Sequence, residues 1–307
     1  MAIGMLSTGI YLPEHVMTSR DVAEKTGIPV DIVENKMGIK KKRIPGPDDH
    51  TVQMGIRAAK QAIEKARIDP KKIDLVIYIG EEHKEYPLWT AAIKMQEEIG
   101  AYRAFGFDMA LRCGTTIMAL KVAKSMMIAN PHIETVLLAG GYRNVDLIDY
   151  RNSRSRFMFN LGAGGGAILL QKGLKKNELL ESVVITDGSF SEDVIVPVGG
   201  TKRPLTGELL DEGLFRLDVP DPEGMKQRLD QKSMDYFLLV IREALAKSGY
   251  EEKDIDYLAI LHMKRSAHEY VLRELGLAEE QSIYLEEYGH IGQIDQILSL
   301  EHSRRRG

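Results

Sequence analysis

The sequence has almost no cysteine: Cys113 is the one thiol in 307 residues. One cysteine closes no internal disulfide. No uncharged apolar run approaches the ~18 residues that a membrane span requires. No charged segment followed by an apolar core and a small-residue cleavage site opens the chain. These absences predict a cytoplasmic protein with no membrane partner. Charge of one sign is scarce too, since 41 basic against 45 acidic residues leave a formal net charge of -4. That balance gives no general attraction to nucleic acid. The basic clusters KKKR (40–43) and RNSRSR (151–156) are short and read as solvated loop charges. With 44% hydrophobic and 28% charged residues, the composition is that of a globular protein and excludes disordered and fibrous classes. The length suits two domains or one large duplicated one.

The chain repeats itself. Residues 61–80, QAIEKARIDPKKIDLVIYIG, align without a gap on residues 243–262, EALAKSGYEEKDIDYLAILH. Each window shows helical apolar spacing, a polar turn, and a short apolar run (LVIYI or LAIL) suited to a strand buried on both faces. Further on, FDMALRCG (107–114) matches YLEEYGHI (284–291), each reading as a strand, a turn and a helix start, so that Cys113 falls on His290. Self-similarity over about 180 residues predicts two halves of one topology, and alternating strands and helices predict α/β layers. Equivalent strand ends meet near a pseudo-twofold axis. The ends at Gly80–Glu82 and His262 and the helix starts at Cys113 and His290 are therefore expected to border one site. After Cys113 the first half continues through a helix to about Asn130 and strands TVLLAGG (135–141) and GAILLQ (166–171). After His290 the sequence offers a helix, QIDQILSLE, and then HSRRRG, without counterparts of those two strands.

Spacing alone leaves Cys113 open between a buried apolar thiol and a nucleophile. A helix N-terminus offers free N–H groups and partial positive charge, which favour a thiolate and can hold an oxyanion. The run GAGGGA (162–167) formally fits G-x-G-x-x-A, yet AILLQKG after it is too short and apolar for the required helix, which excludes a dinucleotide site.

Nearly the whole chain resembles the thiolase-fold condensing enzymes, closest to 3-oxoacyl-[acyl-carrier-protein] synthase III, with features of hydroxymethylglutaryl-CoA synthase. The likeness is carried by IGMLSTGIYLPEHVMTSRDVAEKTGI at the start, ENKMGIKKKRI, the cysteine turn, FNLGAGGGAILL, and the histidine segment YLAILHMKRSAHE. The resemblance implies an α/β fold with thiolase-like αβαβα layers built from two similar halves, 1–172 and 173–307, the second without its last two strands. It implies Claisen-type condensation: Cys113 takes an acyl group from a thioester, while His262 and His290 stabilise the enolate of a malonyl- or acetyl-thioester. The synthase III pattern has asparagine where this chain has His290. The Cys113 and Gly114 amides become an expected oxyanion hole. Lys36, Lys264 and Arg265 become expected phosphate contacts for coenzyme A or an acyl carrier protein, and Ile32 stands where the family often stacks a tryptophan. No metal and no redox cofactor are expected; the partners are an acyl-CoA or acyl carrier protein and a second copy of the chain.

Two alternatives stand beside this reading. Glu82, preferred to Glu81 in IYIGEEHKE, could serve as general acid or base of a hydroxymethylglutaryl-CoA synthase-like aldol condensation. A non-catalytic partner subunit retaining the fold is the other.

Overall fold

The buried run Leu75–Ile79 forms an interior strand of the main sheet, with a hydrogen-bonding neighbour on each side. The computed structural model describes residues 1–305. Strands β1 (Ile3–Tyr11) and β2 (Val16–Thr18) are followed by the short helices α1 (Ser19–Thr26) and α2 (Val30–Asn35) and then by strand β3 (Lys41–Arg43). The core then builds from α3 (Thr51–Ala66), β4 (Leu75–Ile79), α4 (Ala91–Ile99), β5 (Phe105–Met109), α5 (Thr115–Ala129), β6 (Thr135–Tyr142) and β7 (Gly164–Lys172). The five-stranded sheet runs β1-β7-β6-β4-β5, with β4, β5 and β6 parallel and β7 antiparallel to both β1 and β6. The glycine run therefore lies on a strand, as the apolar tail after it required.

Helices α3 and α4 cover one face of the sheet. Gly141 and Gly165 let α3 settle directly on the sheet backbone: a Cβ there would stand 1.9 Å from the Thr51 carbonyl oxygen and 2.2 Å from that of Met54. The other face carries α5 and α9 (Asp295–Arg305), which the sequence repeat pairs as equivalents. Helix, sheet and helix layers of an α/β thiolase-like fold are thus in place, and the helices that follow Cys113 and His290 share one layer.

The second half departs from its strand expectations. It contributes α6 (Gly207–Asp211), the long α7 (Pro222–Ser248), α8 (Arg265–Glu274) and α9, but among the described residues no strand lies beyond β7. The segment LAIL (258–261) is irregular. Leu258 N–H donates to the Gln281 carbonyl (2.7 Å), and the Ser282 hydroxyl donates to the Leu258 carbonyl (2.8 Å), in place of a strand ladder. β4 has a ladder on both sides, which explains the difference between the two repeats. Residues 284–288 are drawn to β3 instead: the Lys40 and Lys41 N–H groups bond the Glu286 carbonyl, and Arg43 N–H bonds that of Tyr288. The final two residues of HSRRRG lie outside the described chain.

Candidate active site

The parallel strands β4, β5 and β6 end on one edge, where ligands collect in open α/β sheets. A tight turn after β5 carries Cys113. Arg112, just before it, has left-handed φ 49°, an uncommon conformation for a residue with a side chain. The Thr115 hydroxyl ties the turn, accepting from Leu111 N–H (2.7 Å) and donating to the Arg112 carbonyl (2.6 Å). Gly114 caps α5, and its N–H donates to the Leu111 carbonyl at 3.1 Å. That bond withdraws the Gly114 amide from the oxyanion hole expected of it. The Cys113 amide is the member of the pair that this turn does not use.

The Cys113 Sγ lies 3.1 Å from His290 Nε2. His290 is itself held at both backbone atoms, its N–H on the Asn160 carbonyl (2.8 Å) and its carbonyl on Gly162 N–H (2.9 Å). Its Nδ1 lies 2.6 Å from Asp295 Oδ2. Asp295, wholly buried at the start of α9, also accepts from Ile291 N–H at 2.7 Å and His262 N–H at 2.8 Å. One carboxylate, favoured by the helix N-terminus, thereby joins both histidine segments. Burial alone would push His290 down, but the Asp295 carboxylate and the charge on Cys113 outweigh it and hold the imidazole well above its ordinary range. An imidazolium at His290, beside the Cys113 sulfur, is the state that this charge balance favours.

The turn between His290 and α9 fits a narrow space. Gly292 has φ +55°, and a Cβ there would stand 2.4 Å from the Tyr142 ring, so two constraints demand glycine. The Gln293 side-chain amide donates to the carbonyls of Ile79 (3.2 Å) and Gly141 (3.1 Å), while the Thr116 hydroxyl donates to the Gln293 carbonyl (2.6 Å). The histidine turn is pinned to the ends of β4 and β6 and to the first turn of α5.

His262 is buried, and neither ring nitrogen has a hydrogen-bond partner. Burial pushes it down to about 4, against the opposing pull of Asp295, so near neutral pH it is an uncharged imidazole with one free N–H. Its ring packs on Tyr284 with centroids 4.8 Å apart, and the Tyr284 hydroxyl donates to the Met263 carbonyl at 2.9 Å. Lys36 and Lys264 are exposed. Arg265 is not free as expected: it pairs with Glu286, which Lys40 also engages at 2.8 Å, and it stacks on Tyr284.

The order of the two glutamates is reversed. The Glu82 side chain is 74% exposed and pairs with Arg112 at 3.0 Å. Glu81 is buried, accepts from the Asn144 amide (2.6 Å) and faces Arg112 (3.3 Å). With burial as the larger cause, its charge helps raise the pKa of Tyr142, whose ring is 6.1 Å from that of His290. Successive residues leaving a strand point to opposite sides, so the inward carboxylate is one place earlier than the motif suggested. We expect Glu82→Gln to leave turnover within about twofold, as exposed substitutions generally do. Glu81→Gln is expected to lower it roughly tenfold by loosening the Arg112 turn that aims Cys113. Steady-state rates of the two variants check this, and equal losses would refute it.

Two family models match the chain. Residues 107–188 fit 3-oxoacyl-[acyl-carrier-protein (ACP)] synthase III, and residues 245–307 fit the C-terminal domain of the same synthase. The chain is a 3-oxoacyl-[acyl-carrier-protein] synthase III-like condensing acyltransferase. It is 25% identical to the beta-ketoacyl-[acyl-carrier-protein] synthase III of Caldanaerobacter subterraneus subsp. tengcongensis, over 100% of this chain and 90% of that relative. Its fold is that of 3-oxoacyl-[acyl-carrier-protein] synthase III from Aquifex aeolicus VF5 (TM-score 0.83, 20% identity, 99% of this chain and 91% of the other). The priming β-ketosynthase of the R1128 polyketide pathway has the same fold (TM-score 0.84, 22% identity, 99% of this chain and 88% of the other). Within this synthase III-like site, Asp295 and Gln293 escaped the sequence reading. An aspartate five residues after a histidine, opening a helix, was the available signal.

Proposed function

We propose that the protein condenses an acyl group held on Cys113 with a malonyl-thioester. The observation that carries the reading is the contact of Cys113 Sγ with His290 Nε2, backed by Asp295. The thiolate attacks the acyl-thioester carbonyl, and His290 gives its proton to the departing thiol. The Cys113 amide faces the oxyanion. His262, neutral and with an unclaimed N–H, donates to the enolate oxygen of the second thioester as carbon dioxide leaves. The carbanion attacks the acyl-enzyme, the thiolate departs, and His290 regains a proton from solvent. This division of labour gives His290 proton transfer and leaves the enolate to His262, where the family pattern sets a second neutral donor.

Coenzyme A or an acyl carrier protein is the proposed carrier, with Lys36 and Lys264 free to meet its phosphate. Thiolate, imidazole and backbone amides supply each step proposed, and none is routed through a metal or redox cofactor. A cytoplasmic role in fatty acid biosynthesis fits this chemistry. The assembly proposed is a homodimer through β5: it is an edge strand whose Phe105 is 50% exposed, and Tyr86, Leu88, Ile93 and Tyr102 are exposed apolar side chains close to it in sequence. Open edges of this kind pair readily with another strand.

The test is intact-protein mass after incubation with a panel of acyl-CoA and acyl-carrier-protein thioesters, followed by malonyl-thioester. One acyl mass on the protein, discharged by malonyl-thioester as a 3-oxoacyl product, is expected. A folded protein that takes up no acyl group from any donor would refute the reading.

A further inference from the structure

We propose that the same site also transfers the Cys113-bound acyl group to a hydroxyl acceptor, with His290 as general base and Asp295 as its positioning residue. The inference rests on acylation of Cys113 and goes beyond condensation. Three side chains form a nucleophile, a base and a base-orienting carboxylate, 3.1 and 2.6 Å apart in succession. That is the arrangement by which nucleophilic enzymes move protons between a thiol or hydroxyl and its substrates.

The argument follows the proton. After acylation His290 has lost its proton to the departing thiol, and the buried Asp295, 2.6 Å from Nδ1, keeps the remaining one there. Nε2 is then a bare lone pair beside the acyl sulfur. A lone pair cannot donate to an enolate oxygen, so this nitrogen does nothing for condensation that an asparagine amide would do. It can accept a proton from an acceptor arriving at the acyl carbon. His262 complements it, since its unpaired ring can donate to the carbonyl oxygen. A primary amine in its free form attacks a thioester without losing a proton first, whereas a hydroxyl requires a base. The chemistry therefore points to an alcohol.

The step balances without an oxidant or reductant. The acceptor O–H proton passes to His290 Nε2 as its oxygen bonds to the acyl carbon. The tetrahedral intermediate collapses, the carbon–sulfur bond breaks, and Cys113 leaves as a thiolate beside the imidazolium. An ester departs, and the resting pair is restored.

Labelled acetyl-enzyme, prepared from acetyl-CoA and desalted, is offered glycerol, glycinamide or malonyl-CoA, and the products are read by mass spectrometry. Glyceryl ester is expected from the wild type. In His290→Asn the ratio of ester to 3-oxoacyl product should fall about 10²-fold or more, the range of a lost general base. If His290→Asn takes up no acetyl group, Asp295→Asn provides the same ratio. An unchanged ratio, or discharge by malonyl-CoA alone, overturns the inference while leaving condensation intact. Amide without ester overturns the hydroxyl class. No acetyl adduct on the wild type overturns the acylation reading and this inference with it.

Discussion

Cys113→Ser is expected to carry no acyl mass from any thioester donor and to lose turnover by about 10³-fold or more, the scale seen when a nucleophile is removed from a cooperating set. Serine keeps the size of the side chain and its place before α5, so the fold should persist. The loss is chemical. A serine hydroxyl is not ionised by the imidazolium that stabilises the thiolate, and the 3.1 Å contact to His290 Nε2 becomes an ordinary hydrogen bond. Intact mass and the rate of 3-oxoacyl product formation read the two effects separately. An acylated serine variant, or one with turnover near wild type, would place the nucleophile elsewhere.

The second large effect is expected at Asp295. Asp295→Asn preserves an oxygen that can accept from Ile291 or His262 N–H, while the charge facing His290 Nδ1 is removed. A loss of about 10²–10⁴-fold in the acylation rate is expected, by the logic of orienting carboxylates in nucleophile–base pairs. The pH dependence has a definite sign. Against burial, the charges of Asp295 and Cys113 raise His290, so its ring stays protonated as pH rises until the pH passes through that raised value. Without the carboxylate His290 falls, and the alkaline limb of the acylation profile moves to lower pH. Stability follows the same sign: a raised folded-state value contributes stability fully present below the unfolded histidine value of about 6.5 and lost as pH rises through the folded one. The gap in stability between wild type and Asp295→Asn should accordingly be widest in mild acid and narrow in alkali. A pH–rate profile and urea melts at several pH values test this. An alkaline limb that stays in place would remove Asp295 from the mechanism.

The first half was legible in detail. Short apolar runs and helical spacing located β4, β6, β7 and the end of α5 close to their observed bounds, while the window at 61–80 caught only the last turns of α3. Their neighbours lie within the same half, so local pattern and tertiary pairing agree. The second half carried the same pattern in LAIL, yet a strand needs a ladder of backbone partners, and the hydrogen bonds of Leu258 go to Gln281 and Ser282 alone. Burial was decided in the same way at the glutamates. IYIGEEHKE offers two adjacent carboxylates, and only the course of the chain after β4 turns Glu81 inward and Glu82 to solvent.

By itself the sequence determined the α/β class, the internal repeat, the equivalence of Cys113 with His290, and the absence of a disulfide framework, because each follows from periodicity or residue type along the chain. The tertiary structure alone decided which groups act on one another. It set Asp295 behind His290 and under the His262 amide, tied Arg265 to Glu286, took the Gly114 amide into a turn, and left the His262 ring without a partner. Proton affinities and hydrogen-bond vacancies depend on distances of about 3 Å between segments far apart in sequence, and no linear pattern encodes those distances.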